Sequence, residues 1–235
     1  MRPSVVLATT FTLSLLSSIS VQAAETVGEL LSESREAALK IFNDPQWDAV
    51  SNALGGARGV FIVPAIKKAG FIVGYEAGSG VLLARHGDQW SDPIFLKIQN
   101  QSVGFEAGVA ESTMITLLMS DEDLGKFTDQ DFGLGTSGRI ALGDKGIGGG
   151  GSGDLSRGVT SLIAIEVEGA FAGGSFMNSS LNVLPDMQKE MYGDNARSVN
   201  DILASNGTES ESEALRQVLT DTVQRAWTGG SAAAK

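Results

Sequence analysis

The densest apolar stretch of the chain spans residues 57–85, where β-branched and aromatic residues are interrupted by glycine. Its first part, Val60 to Val63, has no polar face and is followed by Pro64. Because proline cannot donate to a central ladder, this pattern predicts a short strand that is covered on both sides and ends at Pro64. The stretch therefore predicts a sheet at the centre of the fold.

The second part of this stretch predicts a strand with one bulky face and one bare face. The bulky positions share one parity and the glycines share the other. The bulky set is Phe71, Val73, Tyr75, Val81 and Leu83, and the bare set is Gly74, Gly78 and Gly80. The pattern recurs from Val103, where Gly104 and Gly108 occupy the bare positions. We predict two neighbouring or equivalent strands of one antiparallel sheet, whose glycine-lined face is closely approached by another backbone, a packed helix or a bound chain.

Amphipathic patterns on both sides of the sheet predict flanking helices. Thr26 is placed to cap a helix with apolar residues at steps of three and four, and Asp44-Pro45 begins a shorter one that ends at Gly55-Gly56. Two further helices are predicted after Asp194. The predicted class is α+β, a mainly antiparallel β-barrel or curved sheet with N-terminal and C-terminal helices. We predict a single domain of residues 24–227, with a core of 57–193 and helical flanks of 26–54 and 194–227. A disordered tail of 228–235 follows it.

The first 23 residues have the pattern of an export signal. A basic residue, Arg2, precedes an apolar run, and Val21-Gln22-Ala23 offers a small-x-small cleavage site. We predict cleavage after Ala23 or Ala24 and a soluble periplasmic or extracellular product. The chain has no cysteine, so neither a lipidated cysteine nor a disulfide is expected. Its formal net charge of −11 disfavours nucleic acid as a partner.

Several ordered motifs carry a family resemblance. They are G-V-F-I-V-P-x-I-K-K-A-G-F-I-V-G at 59–74, G-x-G-V-L-L-A-R at 78–85, and W-S-D-P-I-F at 90–95. Together with S-V-G-F at 102–105 and G-A-F-A-G-G-S at 169–175, they resemble the SYLF domain, a lipid- and actin-binding module. The resemblance covers roughly residues 27–193 and implies a lipid or other membrane amphiphile as partner. Actin is not expected as a partner of an exported chain.

Four cations near the central stretch are the candidate lipid site. They are Arg58, Lys67, Lys68 and Arg85. A local basic patch could hold a phospholipid or phosphoinositide-like phosphate, with the glycine-lined face beside it for the rest of the amphiphile. The alternative interpretation is that these charges keep strand ends soluble.

Two other functions are weighed against lipid binding. Glu76 and Glu106 occupy equivalent places in the repeated pattern, and a pair of carboxylates is what glycoside hydrolysis requires. The glycine-rich residues 146–153 could instead make the contacts of a structural or adhesive envelope protein. One histidine and no cysteine make a transition-metal site unexpected, and the Gly-x-Gly-x-x-Gly matches lack the strand and helix of a dinucleotide site. We predict a non-enzymatic protein without metal or cofactor.

Overall fold

A computed structural model describes residues 25–70, 73–103, 107–128, 138–142, 161–172, 180–194 and 197–232. The predicted export signal, Gly104, Glu106 and the glycine-rich residues 146–153 lie outside these ranges. In the part of the chain that is described, no helix combines the length and apolar character needed to cross a membrane.

Helices precede and follow the strands, as predicted. They are α1 (Val27–Asn43), α2 (Asp48–Ala53), α3 (Asp121–Thr128), α4 (Pro185–Tyr192), α5 (Val199–Leu203) and α6 (Glu213–Ala232). The predicted start of α1 is confirmed by a capping box, in which Thr26 and Glu29 satisfy each other's backbone N–H groups. The short helix α4 was not predicted. The C-terminal tail was predicted from residue 228, but α6 continues to Ala232.

In the described ranges, eight strands form the sheet. They are β1 (Gly59–Gly70), β2 (Val73–His86), β3 (Gln89–Trp90), β4 (Ile94–Val103), β5 (Ala107–Leu118), β6 (Gly138–Leu142), β7 (Ser161–Ala172) and β8 (Ser180–Val183). The order is β6-β7-β5-β1-β2-β4-β8, with β3 paired to β2. All pairs are antiparallel except β6 with β7. The α+β class is therefore confirmed, and the sheet is mainly antiparallel.

The predicted barrel is wrong, because the sheet is open. A barrel needs its two outer strands to pair with each other. Within the described residues, β8 pairs only with β4 and β6 pairs only with β7. Helices complete the burial instead: α1, α2 and α6 cover one side of the sheet, which we call the helix face. A second core lies on the opposite face and includes Phe61, Leu82 and Leu96 together with Ile202 and Leu203 of α5.

Pro64 does not end β1 as predicted, but lies within a β-bulge. Ile62 pairs with Val81, whereas Lys67 pairs with Ala77, so β1 contains one residue more than β2 between these pairs. The pairing with β5 shifts in the same region. An extra residue reverses the alternation of side chains between the two faces. Beyond the bulge, Lys67 therefore points to the helix face.

The bulge also explains two glycines of the bare face. A Cβ atom added to Gly80 would lie 2.5 Å from the Ile62 carbonyl oxygen, and one added to Gly78 would lie 2.5 Å from that of Ala65. The close approach predicted from the glycines is thus made by the backbone of β1. The space beside Gly78 and Gly80 on that face is occupied by the protein itself.

The second copy of the glycine pattern is not one continuous strand. Val103 ends β4 and pairs with Val73 of β2, whereas Ala107 begins β5. Gly70 of β1 pairs with both Gly74 and Gly108, so β1 separates the two copies there, and only Val103 of the second copy lies beside the first. They do not form two equivalent strands with one shared bare face.

Candidate functional site

The two adjacent lysines of the predicted lipid site lie on opposite faces of the sheet. Lys67 is exposed on the helix face. Lys68 points to the opposite face, where its ammonium group forms an ion pair with Glu76. Glu76 is 2% exposed, so this pair is largely removed from water. Lys68 therefore has a partner within the fold, and the two lysines do not form one binding surface.

The two arginines lie at the other end of β1 and β2. Arg58 is nine positions from Lys67 along β1, or about 30 Å at the rise of an extended strand. Its side chain is exposed, with its Nε atom 3.9 Å from a carboxylate oxygen of Asp121. The structure therefore does not gather the four predicted cations into one site.

Arg85 is engaged by the fold around it. Its guanidinium donates to the carbonyl oxygens of Gly55 at 2.7 Å and Gly87 at 2.9 Å. The same group lies 5.1 Å from the centre of the exposed Trp227 ring, a cation–π contact. Burial lowers the pKa of Arg85, and the nearby Arg58 adds to that effect while Asp88 opposes it. These contacts tie the turn before β1 to β2 and to α6.

A cleft opens beside Lys67 between the sheet and the start of α1, with a volume of about 530 Å³. We call it the headgroup cleft. Its lining consists of Glu25, Glu29, Glu33, Ala65, Lys67, Ala77, Gly78, Ser79 and Lys97. The volume lies within the roughly 300–1,000 Å³ typical of small-molecule sites. A smaller cleft of about 320 Å³ continues along α1 and shares Glu33, Ala65 and Lys67 with it.

The floor of the headgroup cleft carries two cations that come from different strands. Lys67 is paired across the sheet with Ala77, and Lys97 is paired with Ser79, two residues further along β2. Both lysines therefore lie on the helix face, about 12 Å apart at their Cα atoms by sheet spacing. Neither forms an ion pair with a carboxylate of the described residues. Two lysine side chains thus line one side of the cleft.

Three carboxylates line the wall of the cleft. Glu25 lies just before α1, and Glu29 and Glu33 lie on successive turns of that helix. Glu29 is committed to the helix cap, because its carboxylate accepts from the Thr26 N–H and hydroxyl, each at 2.9 Å. The backbone hydrogen bond lowers the pKa of Glu29. Burial raises the pKa of Glu33, and the charges of Glu25 and Glu29 raise it further, while Lys67 opposes them. Glu25 and Glu33 flank the cap and remain directed at the cleft.

An exposed aromatic residue lies next to the cleft. Tyr75 is 43% exposed and lies on the same face of β2 as Ala77, two residues away. Its hydroxyl donates to the side-chain oxygen of Gln99 at 3.1 Å. A tyrosine with an apolar ring and a hydrogen-bonded hydroxyl suits the border between water and an apolar phase.

The other candidate chemistries are not assembled within the described residues. Glu76 faces Lys68, and Glu106 lies outside the description, so no carboxylate pair is seen. Among the described residues, no three His, Asp or Glu side chains come together as metal ligands. His86 is bound to the fold through its Nε2 atom, 2.6 Å from the Leu203 carbonyl oxygen.

The sequence analysis missed Lys97 as a site residue. Its position in a predicted strand was apparent, but its place beside Lys67 depends on the register of β1, β2 and β4 and on the bulge in β1. The acidic residues of α1 were visible as the polar face of a helix. Their direction toward the two lysines required the packed structure.

Taken together, the fold defines a class: an open, mainly antiparallel sheet covered by helices, with a charged cleft and no assembled catalytic group in its described part. Comparison with known families gives the finer assignment. The family model described as Las17-binding protein actin regulator, Ysc84, matches residues 99–225, more than half of the chain. The chain belongs to this family, which confirms the SYLF resemblance of its motifs.

Curated relatives extend the match toward the N-terminus. SH3 domain-containing YSC84-like protein 1 of Rattus norvegicus is 26% identical over 190 residues, which cover 80% of this chain and 56% of the relative. The Xenopus laevis protein of the same name is 30% identical, with coverages of 70% and 52%. Protein YSC84 of Saccharomyces cerevisiae is 30% identical, with coverages of 60% and 31%. The chain spans about half the length of the vertebrate relatives.

Proposed function

We propose that this protein is a non-enzymatic binding protein that holds the headgroup of a membrane amphiphile in the headgroup cleft. Lys67 and Lys97 bind the phosphate, and they replace the set of four cations expected from the sequence. The observation that carries the proposal is a pair of lysines on the floor of a 530 Å³ cleft, neither of which forms an ion pair with a carboxylate of the described residues. A phosphate is the ligand group that lysine ammonium groups bind as point charges.

Lys68, Arg58 and Arg85 have other roles in this proposal. Lys68 neutralises the buried Glu76, and Arg85 stabilises the turn at Gly55. Arg58 is too far from the cleft to contact the same headgroup.

The description of the family refers to Las17 and to actin regulation. We infer that this chain is exported, on the pattern of residues 1–23, and an exported chain does not meet cytoplasmic filaments. A lipid of the cell envelope is therefore the partner that we propose, with the family resemblance to a lipid-binding module as support.

Cosedimentation with vesicles tests this function. Vesicles of equal parts phosphatidylethanolamine and phosphatidylglycerol are mixed with the wild-type protein and with Lys67→Glu, Lys97→Glu and the control Arg58→Glu. We expect each cleft variant to lose about tenfold in affinity, equivalent to about 1.4 kcal/mol, and the control to bind like the wild type. Circular dichroism checks that all variants fold. No binding by the wild type, or equal binding by all four proteins, would contradict the proposal.

A further inference from the structure

We propose that the headgroup cleft selects a zwitterionic phospholipid headgroup, with its phosphate at Lys67 and Lys97 and its ammonium group at Glu25 and Glu33. This inference rests on the proposed function and names the class of headgroup. Phosphoethanolamine and phosphocholine share the required chemistry, a phosphate joined by a short linker to a cation.

The first argument is the separation of charge within the cleft. Lysines occupy the sheet side and glutamates occupy the helix side, yet Lys67 and Lys97 form no ion pair with the described carboxylates. A ligand with only negative charge would meet favourable groups on one side and repulsive groups on the other. A ligand that carries both charges places each one opposite its complement.

The second argument is which carboxylates are available. Glu29 is held by Thr26 in the helix cap, whereas Glu25 lies four residues before it and Glu33 four residues after it. Residues four apart lie on the same side of a helix, so Glu33 follows Glu29 along the wall of the cleft. Burial raises the pKa of Glu33, and the repulsion from Glu25 and Glu29 that adds to this shift is relieved by a bound cation. The helix wall is therefore suited to an ammonium group.

The third argument is the position of Tyr75 beside the cleft. Once the headgroup is bound, the acyl chains must leave the cleft toward the membrane. Tyr75 is exposed at the adjacent position on β2, while its hydroxyl is held by Gln99. An exposed aromatic ring at this place supports the apolar part of the lipid and fits the interfacial preference of tyrosine.

The charge of the whole chain agrees with this choice. At a formal net charge of −11, the protein is repelled by a membrane surface made only of anionic lipid. The two lysines and three glutamates of the cleft leave its lining with a charge of −1. A headgroup that carries its own cation is repelled neither by the net charge of the chain nor by that of the cleft lining.

The test compares vesicle composition and matched variants. Wild type, Glu25→Gln/Glu33→Gln and the control Glu36→Gln, which lies on α1 outside the headgroup cleft, are titrated with three kinds of vesicle. These consist of phosphatidylglycerol alone, or of equal parts of it with phosphatidylethanolamine or with phosphatidylcholine. We expect the wild type and the control to prefer the mixed vesicles by about tenfold, and the double variant to lose that preference.

The outcomes separate this inference from the proposed function. Binding by the wild type that is equal or stronger on phosphatidylglycerol alone would overturn the zwitterionic class but leave lipid binding in place. A double variant that keeps the full preference would also overturn it. Absence of binding to every vesicle would overturn both proposals. Preference for one of the two mixed vesicles would support the inference and identify the amine.

Discussion

The buried carboxylate of Asp92 accepts two hydrogen bonds from the backbone N–H of Thr208, at 3.0 and 2.9 Å, across 116 positions of sequence. Asp92 is fully buried in the connection between β3 and β4. It also accepts from the Glu209 N–H and the Ser212 hydroxyl, and it lies 3.4 Å from the guanidinium of Arg197. This one side chain fixes the segment that leads into α6.

Replacing Asp92 by Ala should therefore destabilise the fold strongly. The change leaves two backbone N–H groups and a partly buried arginine without their acceptor, and we expect a loss of about 3–5 kcal/mol in the free energy of unfolding. Urea denaturation followed by circular dichroism measures it. The exposed Asp221→Ala on α6 is the control and should change stability by less than about 0.5 kcal/mol. Equal stability of the two variants would show that Asp92 does not hold this segment.

A second prediction concerns glycines in two different environments. Gly80→Ala places a methyl group 2.5 Å from the Ile62 carbonyl oxygen, so β1 and β2 must separate. We expect a loss of about 1–3 kcal/mol in the free energy of unfolding. Gly28→Ala in α1 meets no atom within 4 Å, and alanine favours the helix, so this matched change should stabilise by about 0.5 kcal/mol. Thermal unfolding compares them, and loss of stability in both variants or neither would contradict the close approach of β1.

Local signals in the sequence were sufficient to predict much of this fold. Thr26 predicted the cap of α1, and Asp44-Pro45 predicted the start of the next helical segment. These features depend on residues that are close in sequence. The family motifs supported the same mixed architecture.

Features that depend on register could not be predicted in this way. The bulge at Pro64 places one residue more in β1 than in its neighbours, and it decides that Lys67 faces α1 while Lys68 faces Glu76. A proline after an apolar run is equally typical of a strand end. For this reason only one of the four predicted cations, Lys67, lines the cleft, whereas the place of Lys97 was found through cross-strand pairing.

The third prediction separates the two lysines by role. Glu76→Gln removes the charge that neutralises Lys68, and we expect a loss of about 3 kcal/mol in the free energy of unfolding. Because a buried ion pair contributes little relative to apolar residues, Lys68→Met/Glu76→Leu should recover most of that loss. The double variant should bind vesicles like the wild type. Urea denaturation and cosedimentation test both points, and loss of vesicle binding by the folded double variant would assign Lys68 to the ligand site.

The fourth prediction is a pH dependence of lipid binding that comes from Glu33. The pKa of this carboxyl is raised, chiefly by burial, so it becomes protonated at a higher pH than an ordinary glutamate. Protonation removes the attraction for an ammonium group. The charged groups facing it are Glu25, Glu29, Lys67, Lys97 and Glu111. We expect affinity for phosphatidylethanolamine-containing vesicles to begin to fall, as the pH is lowered, at a higher pH than the titration of an ordinary glutamate would cause.

The raised pKa of Glu33 also determines how the free energy of unfolding changes with pH. In the window between the ordinary and the raised pKa, the folded state binds more protons at Glu33 than the unfolded state does. The contribution of Glu33 to the free energy of unfolding therefore falls as the pH rises through that window. Glu33→Gln should remove this dependence and flatten the pH profile of vesicle binding. An unchanged profile in the variant would show that another group controls binding.

The central claim, that the headgroup cleft is the lipid site, is tested most directly by protection of a thiol placed inside it. The natural chain has no cysteine, so Ser79→Cys provides a single reactive group on the cleft lining. Ser210→Cys, at an exposed position before α6, is the control. We expect phosphatidylethanolamine-containing vesicles to slow thiol modification at residue 79 about tenfold or more and to leave residue 210 unchanged. Equal modification rates at residue 79 with and without bound vesicles would contradict the account.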